Sequence, residues 1–315
     1  MEYAVLGRSG LVSSVIGLGG GGPSRFGLST GSTAADAVAL IRRAHDLGIT
    51  LFDGGGLLGG VDSVLGKAVK PFRRDIVLSS KVNLAPVFWP LDRNRTLHRA
   101  AARAAQALSL TASARTVRGH VERTLEQLDT DYIDILHLHA LTPGQYPPAV
   151  ETALPVLAEL KQKGIIRAIG ITEAFPRDPD HGMLARALED GFSDVVMAGF
   201  NMLNRSARVR VVPQAERKGV GVLGMFAMRS PLGRGAHVAK SLREAGRRRA
   251  AALMPLLREN GIERLTDAAI RFARHERGVH AVLLGTGSLA HLEQNVAAAL
   301  APRLPEPVLA AIEAL

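Results

Sequence analysis

Short apolar runs alternate with amphipathic stretches from one end of this chain to the other. The runs Ser14–Leu18, Thr50–Asp53, Ile76–Val82, Ile133–His139, Ala168–Thr172, Val195–Phe200, Val220–Met225 and Ala281–Leu284 lack regular polar alternation. That pattern suits strands of a parallel sheet covered on both faces. Apolar positions at helical spacing predict helices over Ala34–Leu47, Val61–Val69, Thr116–Leu128, Ala149–Lys163, Gly182–Asp190, Ser206–Lys218, Ala250–Asn260 with Thr266–His275, and Leu289–Leu300. Helix ends carry the expected punctuation: Ser32 and Thr33 before the first, Gly48, Gly164 and Gly219 after three of them. Eight strand–helix units predict a (β/α)8 TIM barrel of the α/β class, with residues 1–315 as one domain. The opening residues Tyr3–Val12 read as a hairpin closing the barrel bottom.

Two segments break the regular spacing, Asn83–Arg115 and Phe226–Arg249. Both leave the C-terminal ends of predicted strands, the end on which barrels build their sites. Long loops there are candidate substrate walls, and the first carries Phe88 and the only tryptophan, Trp89.

Composition narrows the function. The 315 residues are 47% hydrophobic, with no cysteine, which excludes disulfides, thiolate catalysis and Cys-ligated metal. No apolar run is long enough to span a membrane and no signal pattern opens the chain, so a cytoplasmic location is expected. The net charge of +10 comes from arginine, which suits anionic ligands or merely a solvated basic surface. Nucleic acid is not an expected partner, because the basic residues are scattered and aromatic residues are only 4%. The run Gly19–Gly22 lacks the G-x-G-x-x-G spacing of a Rossmann turn.

Three strands end in ionisable groups: Leu51-Phe52-Asp53, Ile76-Val77-Leu78-Ser79-Ser80-Lys81, and Ile133-Asp134-Ile135-Leu136-His137-Leu138-His139. With Tyr3–Leu11, Gly17-Leu18-Gly19, Leu128–Asp134, Gly164–Thr172, Phe200–Asn204 and Gly285–Ser288 followed by Asn295, their order resembles the aldo-keto reductases over nearly the whole chain. The resemblance implies an NADP(H)-dependent oxidoreductase acting on a carbonyl-containing small molecule, with NAD(H) as the other candidate cofactor. It implies a catalytic set of Asp53, Lys81 and His139. The family's tyrosine, five residues after the aspartate in an Asp-Thr-Ala-x-x-Tyr-Gly pattern, falls on Leu58. Cofactor contacts are implied for Gly19, Thr172, Glu173, Asn201, Phe226, Gly285, Thr286, Gly287, Ser288 and Asn295. Thr172-Glu173 stands where the family has Ser-Asn, Met197 where it often has Gln, and Gly287 where NADPH-preferring members often carry a basic residue.

A positioned general acid is worth roughly 10²–10⁴ in rate, and leucine cannot serve as one. His139 is the candidate replacement, since imidazole titrates near neutral pH; a water held by Lys81 is another, and Tyr146 a remote third. His137, one layer deeper, is expected to be buried and hydrogen-bonded. The run Gly54-Gly55-Gly56 is expected to leave room beside the site for a larger substrate or a water. Two alternatives stand beside the oxidoreductase: a non-redox acid–base enzyme (dehydratase, isomerase or cyclase) on the same barrel, and a catalytically inactive dinucleotide-binding protein.

Overall fold

The computed structural model describes residues 1–84, 113–228, 248–249 and 251–315. Eight parallel strands close into a barrel: β3 (Ile16–Gly19), β4 (Leu51–Asp53), β5 (Val77–Val82), β6 (Ile133–Leu141), β7 (Ile166–Glu173), β8 (Val195–Gly199), β9 (Gly221–Met225) and β10 (Ala281–Leu284), with β10 pairing back onto β3. An antiparallel hairpin, β1 (Tyr3–Val5) and β2 (Val12–Ser14), precedes them.

The hairpin reaches two residues farther than its sequence pattern predicts, so the first barrel strand begins at Ile16 rather than Ser14. Ser14 is a corner residue instead. Its hydroxyl accepts from the Thr50 backbone N–H at 2.8 Å and donates to the Ile16 carbonyl at 2.6 Å, tying hairpin to barrel. Leu6 and Leu11, in the hairpin turn, pack against Leu51, Val77, Ile135, Ala168 and Val195, which point into the barrel. The hairpin thus plugs the bottom of the barrel with apolar side chains.

Strand side chains alternate between faces with period two. Since Leu51, Val77, Ile135 and Ala168 point inward at the bottom, Asp53, Ser79, Lys81, His137, His139, Gly170 and Thr172 point inward above them. Phe52, Leu78 and Leu136 face outward into the shell shared with the helices. This alternation lifts the ionisable groups to the open end.

The helices are α1 (Ala34–Asp46), α2 (Val61–Val69), α3 (Ala114–Leu128), α4 (Tyr146–Gln162), α5 (Gly182–Asp190), α6 (Ala207–Arg210), α7 (Val212–Lys218), α8 (Met254–Glu259), α9 (Leu265–Arg274), α10 (Leu289–Leu300) and α11 (Glu306–Glu313). Thr33 caps α1 in a reciprocal box with Asp36. The single helix predicted over Ser206–Lys218 is two short ones. Pro213, which lacks an N–H and favours a first turn, starts a new helix just after Val211. The C-terminal α11 was not expected from the pattern; Val308 and Ile312 anchor it in the outer core. Phe88 and Trp89 lie outside the described residues, as does most of each long loop.

The run Leu128–Asp134 has a structural use. Asp134 is fully buried and accepts from the Leu78 N–H at 2.9 Å, Arg73 at 2.8 Å and Arg167 at 2.8 Å. Arg73 also lies 3.8 Å over the Tyr132 ring. The carboxylate is therefore a clamp across β5, β6 and β7, outside the barrel lumen.

Candidate active site

Asp53 ends β4 and Lys81 lies near the end of β5, both inward and both nearly buried. Lys81 Nζ reaches the two carboxylate oxygens of Asp53 at 2.6 and 2.5 Å and the Gly54 carbonyl at 2.8 Å. The two Asp53 oxygens share one ammonium proton and the Gly54 carbonyl takes a second, which leaves a third for the barrel mouth. Ser79 adds a fourth contact, donating to Asp53 Oδ1 at 2.8 Å; its place two residues before Lys81 was the sequence signal for it. Removing two charges from water is costly, and only hydrogen bonding of this kind offsets it. The Gly19–Gly22 run crosses above the pair: a Cβ on Gly21 would lie 3.7 Å from Lys81 Nζ. Glycine there leaves the ammonium approachable from the barrel mouth.

His139 stands on β6 with one edge still partly exposed. Its Nδ1 lies 2.6 Å from the Asn83 side-chain oxygen. Burial first, then the Lys81 ammonium, push its pKa down to about 3. Solvent at the exposed edge screens part of that effect, but the direction is firm: two causes oppose a second positive charge beside Lys81. Both causes favour the neutral imidazole near neutral pH, which weighs against His139 as the replacement acid. His120, from α3, was not anticipated. Its Nε2 lies 3.2 Å from the Lys81 carbonyl, and burial lowers its pKa to about 4.

His137 is fully buried, as expected, but neither ring nitrogen makes a well-formed hydrogen bond. The Ile171 backbone is near enough to act electrostatically without meeting hydrogen-bond geometry. Burial, then Lys81, hold its pKa well below the usual value. Its ring occupies the space over Gly170, where a Cβ would fall 2.2 Å from Nδ1. Gly170 thus makes the slot that His137 fills.

The glycine run after Asp53 does not leave a void, contrary to expectation. A Cβ on Gly54 would fall 2.4 Å from the Asp62 carboxylate, and one on Gly56 2.6 Å from the Lys81 carbonyl. Asp62 accepts from the Gly55 N–H at 2.9 Å and the Leu57 N–H at 2.5 Å. The loop is wound tightly around a buried acid, whose pKa burial raises. Leu58 follows, half-buried, with nothing to donate. Tyr146 does not replace the missing phenol. Its hydroxyl binds Asp190 at 2.7 Å, and burial, then that hydrogen bond, push its pKa up.

The residues implied for a dinucleotide divide into two groups. Gly285 to Ser288 form a tight turn opening α10, where Ser288 caps the helix and Thr286 accepts from the Ser288 N–H at 3.1 Å. Asn295, in the second turn of α10, is mostly buried. An amide near a helix N-terminus suits a phosphate or a nucleobase edge. Phe226, with φ of 65°, is held in the left-handed region and stacks on Phe175 at 5.4 Å. Phe175 fits because Gly199 has no side chain; a Cβ there would meet its ring at 2.2 Å. The flat ring pair is an aromatic shelf at the end of β9.

The other group is committed to the protein. Thr172 Oγ1 accepts from the Ala140 N–H at 2.7 Å. Glu173 is turned away from the lumen: it pairs with His181 Nδ1 at 2.9 Å and accepts from the Gly199 N–H at 2.7 Å. Asn201 Oδ1 accepts from the N–H groups of Leu203 and Asn204, each at 3.0 Å. So Glu173 and the Asn201 carbonyl are engaged within the protein, whereas the Thr172 hydroxyl keeps its proton to donate. Gly19 lies beside Asp53 and the Leu284 carbonyl. Gly287 abuts the backbone of Gly27, where a Cβ would fall 2.4 Å from Gly27 Cα. No side chain, basic or otherwise, fits at 287 while the Ser24–Ser32 turn holds this position. Among the described residues no acid–histidine cluster is arranged for a metal, and no helix is long and apolar enough to cross a membrane.

Residues 15–315 match the Aldo/keto reductase family. L-galactose dehydrogenase of Arabidopsis thaliana is 30% identical over 315 residues, covering 95% of this chain and 88% of that protein. NADH-specific methylglyoxal reductase of Escherichia coli is 30% identical over 230 residues, covering 70% and 66%. Among solved structures, the holo form of an aldo-keto reductase from Bacillus halodurans superposes with a TM-score of 0.75 over 100% of this chain and 96% of that one, at 24% identity, which speaks for the fold alone. The barrel, the ion pair at its mouth and these matches together place the chain in the aldo/keto reductase family.

Proposed function

We propose that this protein is a nicotinamide-dinucleotide oxidoreductase that interconverts a carbonyl and the corresponding hydroxyl of a small molecule. The observation that carries it is the buried Asp53–Lys81 pair, open at Gly21 and close to His139. A bound dinucleotide would supply or accept the hydride. Gly285 to Ser288 and Asn295 would hold its phosphate-bearing half, and the Phe175–Phe226 shelf would carry its nicotinamide face. Lys81 acts by charge: its ammonium favours negative charge building on the substrate oxygen. Asp53 and Ser79 keep that ammonium fixed. His139, neutral, faces the same oxygen and can pair with it when it is a hydroxyl. With leucine at 58, the proton for reduction comes from water ordered at Lys81. The names of the relatives support both directions of the reaction, one being called a dehydrogenase and another a reductase. NADP(H) and NAD(H) are both compatible, since Gly287 offers neither a partner nor an obstacle to a 2′-phosphate.

Turnover tests the reading. Purified protein is assayed for consumption of NADPH and NADH with aldehydes and ketones, and for their formation with polyols and sugars. Activity that disappears in Lys81→Met and His139→Ala while dinucleotide binding persists supports it. Dinucleotide binding with no redox turnover on any substrate, but with elimination or isomerisation of a hydroxy-carbonyl compound, would move the assignment to the non-redox acid–base reading that Leu58 favours.

A further inference from the structure

Asn83 follows Lys81 by two residues and stands where β5 gives way to its loop. Its side chain makes two contacts of opposite sense. Nδ2 donates to the Gly56 carbonyl at 3.3 Å, and Oδ1 lies 2.6 Å from His139 Nδ1. A carbonyl oxygen only accepts, so Gly56 accepts the amide's N–H and leaves the amide oxygen facing the imidazole. An oxygen at 2.6 Å from a ring nitrogen demands that the nitrogen carry the proton. In a neutral imidazole one nitrogen is then protonated and the other is a lone pair. The loop carrying Gly56 cannot drift away, because Gly56 sits with φ of 61° against the Lys81 backbone.

We propose that Asn83 is a positioning residue that fixes His139 as the Nδ1–H tautomer, so that Nε2 presents a lone pair to the ligand and the site receives the hydroxyl partner of the couple. A substrate hydroxyl can donate to that nitrogen, whereas a carbonyl oxygen meets lone pair against lone pair. The ligand class that follows is a small molecule with a free hydroxyl. The inference deepens the oxidoreductase reading and rests on it for the word substrate. The tautomer itself stands independently of any turnover.

The experiment is nitrogen-15 NMR of histidine-labelled full-length protein, with and without added NAD⁺, His139 being assigned through loss of its signals in His139→Gln. Wild-type protein is expected to show His139 with Nδ1 protonated and Nε2 bare. Asn83→Asp keeps an acceptor for Nδ1–H but loses the donor to Gly56, so the tautomer is retained. Asn83→Ala keeps neither, and the ring moves toward the Nε2–H form that isolated imidazole favours. Glycerol, which offers only hydroxyls, is expected to shift the Nε2 resonance, and acetone is not. A wild-type Nε2–H ring, an unchanged tautomer in Asn83→Ala, or a response to acetone without one to glycerol overturns the proposal. If Asn83 merely held the loop, Asn83→Asp would disturb His139 as much as Asn83→Ala, which also overturns it. Failure to bind NAD⁺ or to turn over would defeat the oxidoreductase reading and leave these signals as they are.

Discussion

Replacing Lys81 with methionine isolates the energetics of the buried pair. The two side chains are only 6% and 5% exposed, and Asp53 receives two of its three short contacts from Lys81. After Lys81→Met, the carboxylate keeps Ser79 alone and sits as a nearly buried charge. Breaking a buried pair from one side costs about 3–5 kcal/mol. At about 2–4 °C per kcal/mol for a large domain, Tm falls by roughly 6–20 °C. Asp53→Asn should cost a similar amount, because it strands the ammonium. The double variant removes both charges, and about as much stability as either single change is lost, or less, giving a strongly non-additive cycle. The exposed pair of Lys163 with Glu159 is the internal control, and breaking it should change stability little. Urea unfolding followed by circular dichroism, with thermal melts alongside, reads all of these. A Lys81→Met loss below about 1 kcal/mol, or simple additivity, would show that the pair is solvated in solution and would refute the reasoning.

Gly170→Ala drives a methyl group into the His137 ring and should cost about 1–3 kcal/mol or more, whereas Gly119→Ala, in the open face of α3, should be neutral or stabilising by up to about 1 kcal/mol; urea midpoints distinguish them. Acid should weaken the fold through its histidines. His120 and His139 are held near 4 and 3 when folded and return to about 6.5 when unfolded, so the unfolded chain binds more protons between those values. Their contribution is complete above pH 6.5 and is lost as pH falls from there through 4 toward 3; a urea midpoint flat from pH 7 to 4, or one that rises on acidification, would contradict this. Leu58→Tyr restores a phenol in the loop after Asp53 and should raise reduction of simple aldehydes, measured as NADPH consumption. No gain in a folded, dinucleotide-binding variant would mean that the tightly wound Gly54–Gly56 loop does not aim residue 58 at Lys81.

The fold was legible because its signals are local and redundant. Ala281–Leu284, Val61–Val69, Gly182–Asp190 and Leu289–Leu300 begin and end where their patterns do. Period two along β4, β5 and β6 puts Asp53, Lys81 and His139 on one face without any knowledge of the barrel. What was illegible depends on contacts between distant segments. Nothing near Glu173 in sequence says that His181 and Gly199 will claim its carboxylate. Nothing near Gly287 announces that Gly27 will press against it. Gly54–Gly56 looked like missing bulk because the filling group, Asp62, is supplied by the following helix. Asn83 passed unremarked, since its meaning lies in two partners 56 and 27 residues away.

The most direct test of the account is isothermal titration of the purified protein with NADH and NADPH, run in parallel on Asn295→Ala. The account predicts saturable binding of at least one reduced dinucleotide, weakened in Asn295→Ala, which removes the amide proposed to contact it. Absence of binding by both dinucleotides in a folded protein would contradict it, and would mean that Asp53, Lys81 and His139 serve a chemistry with no nicotinamide in it.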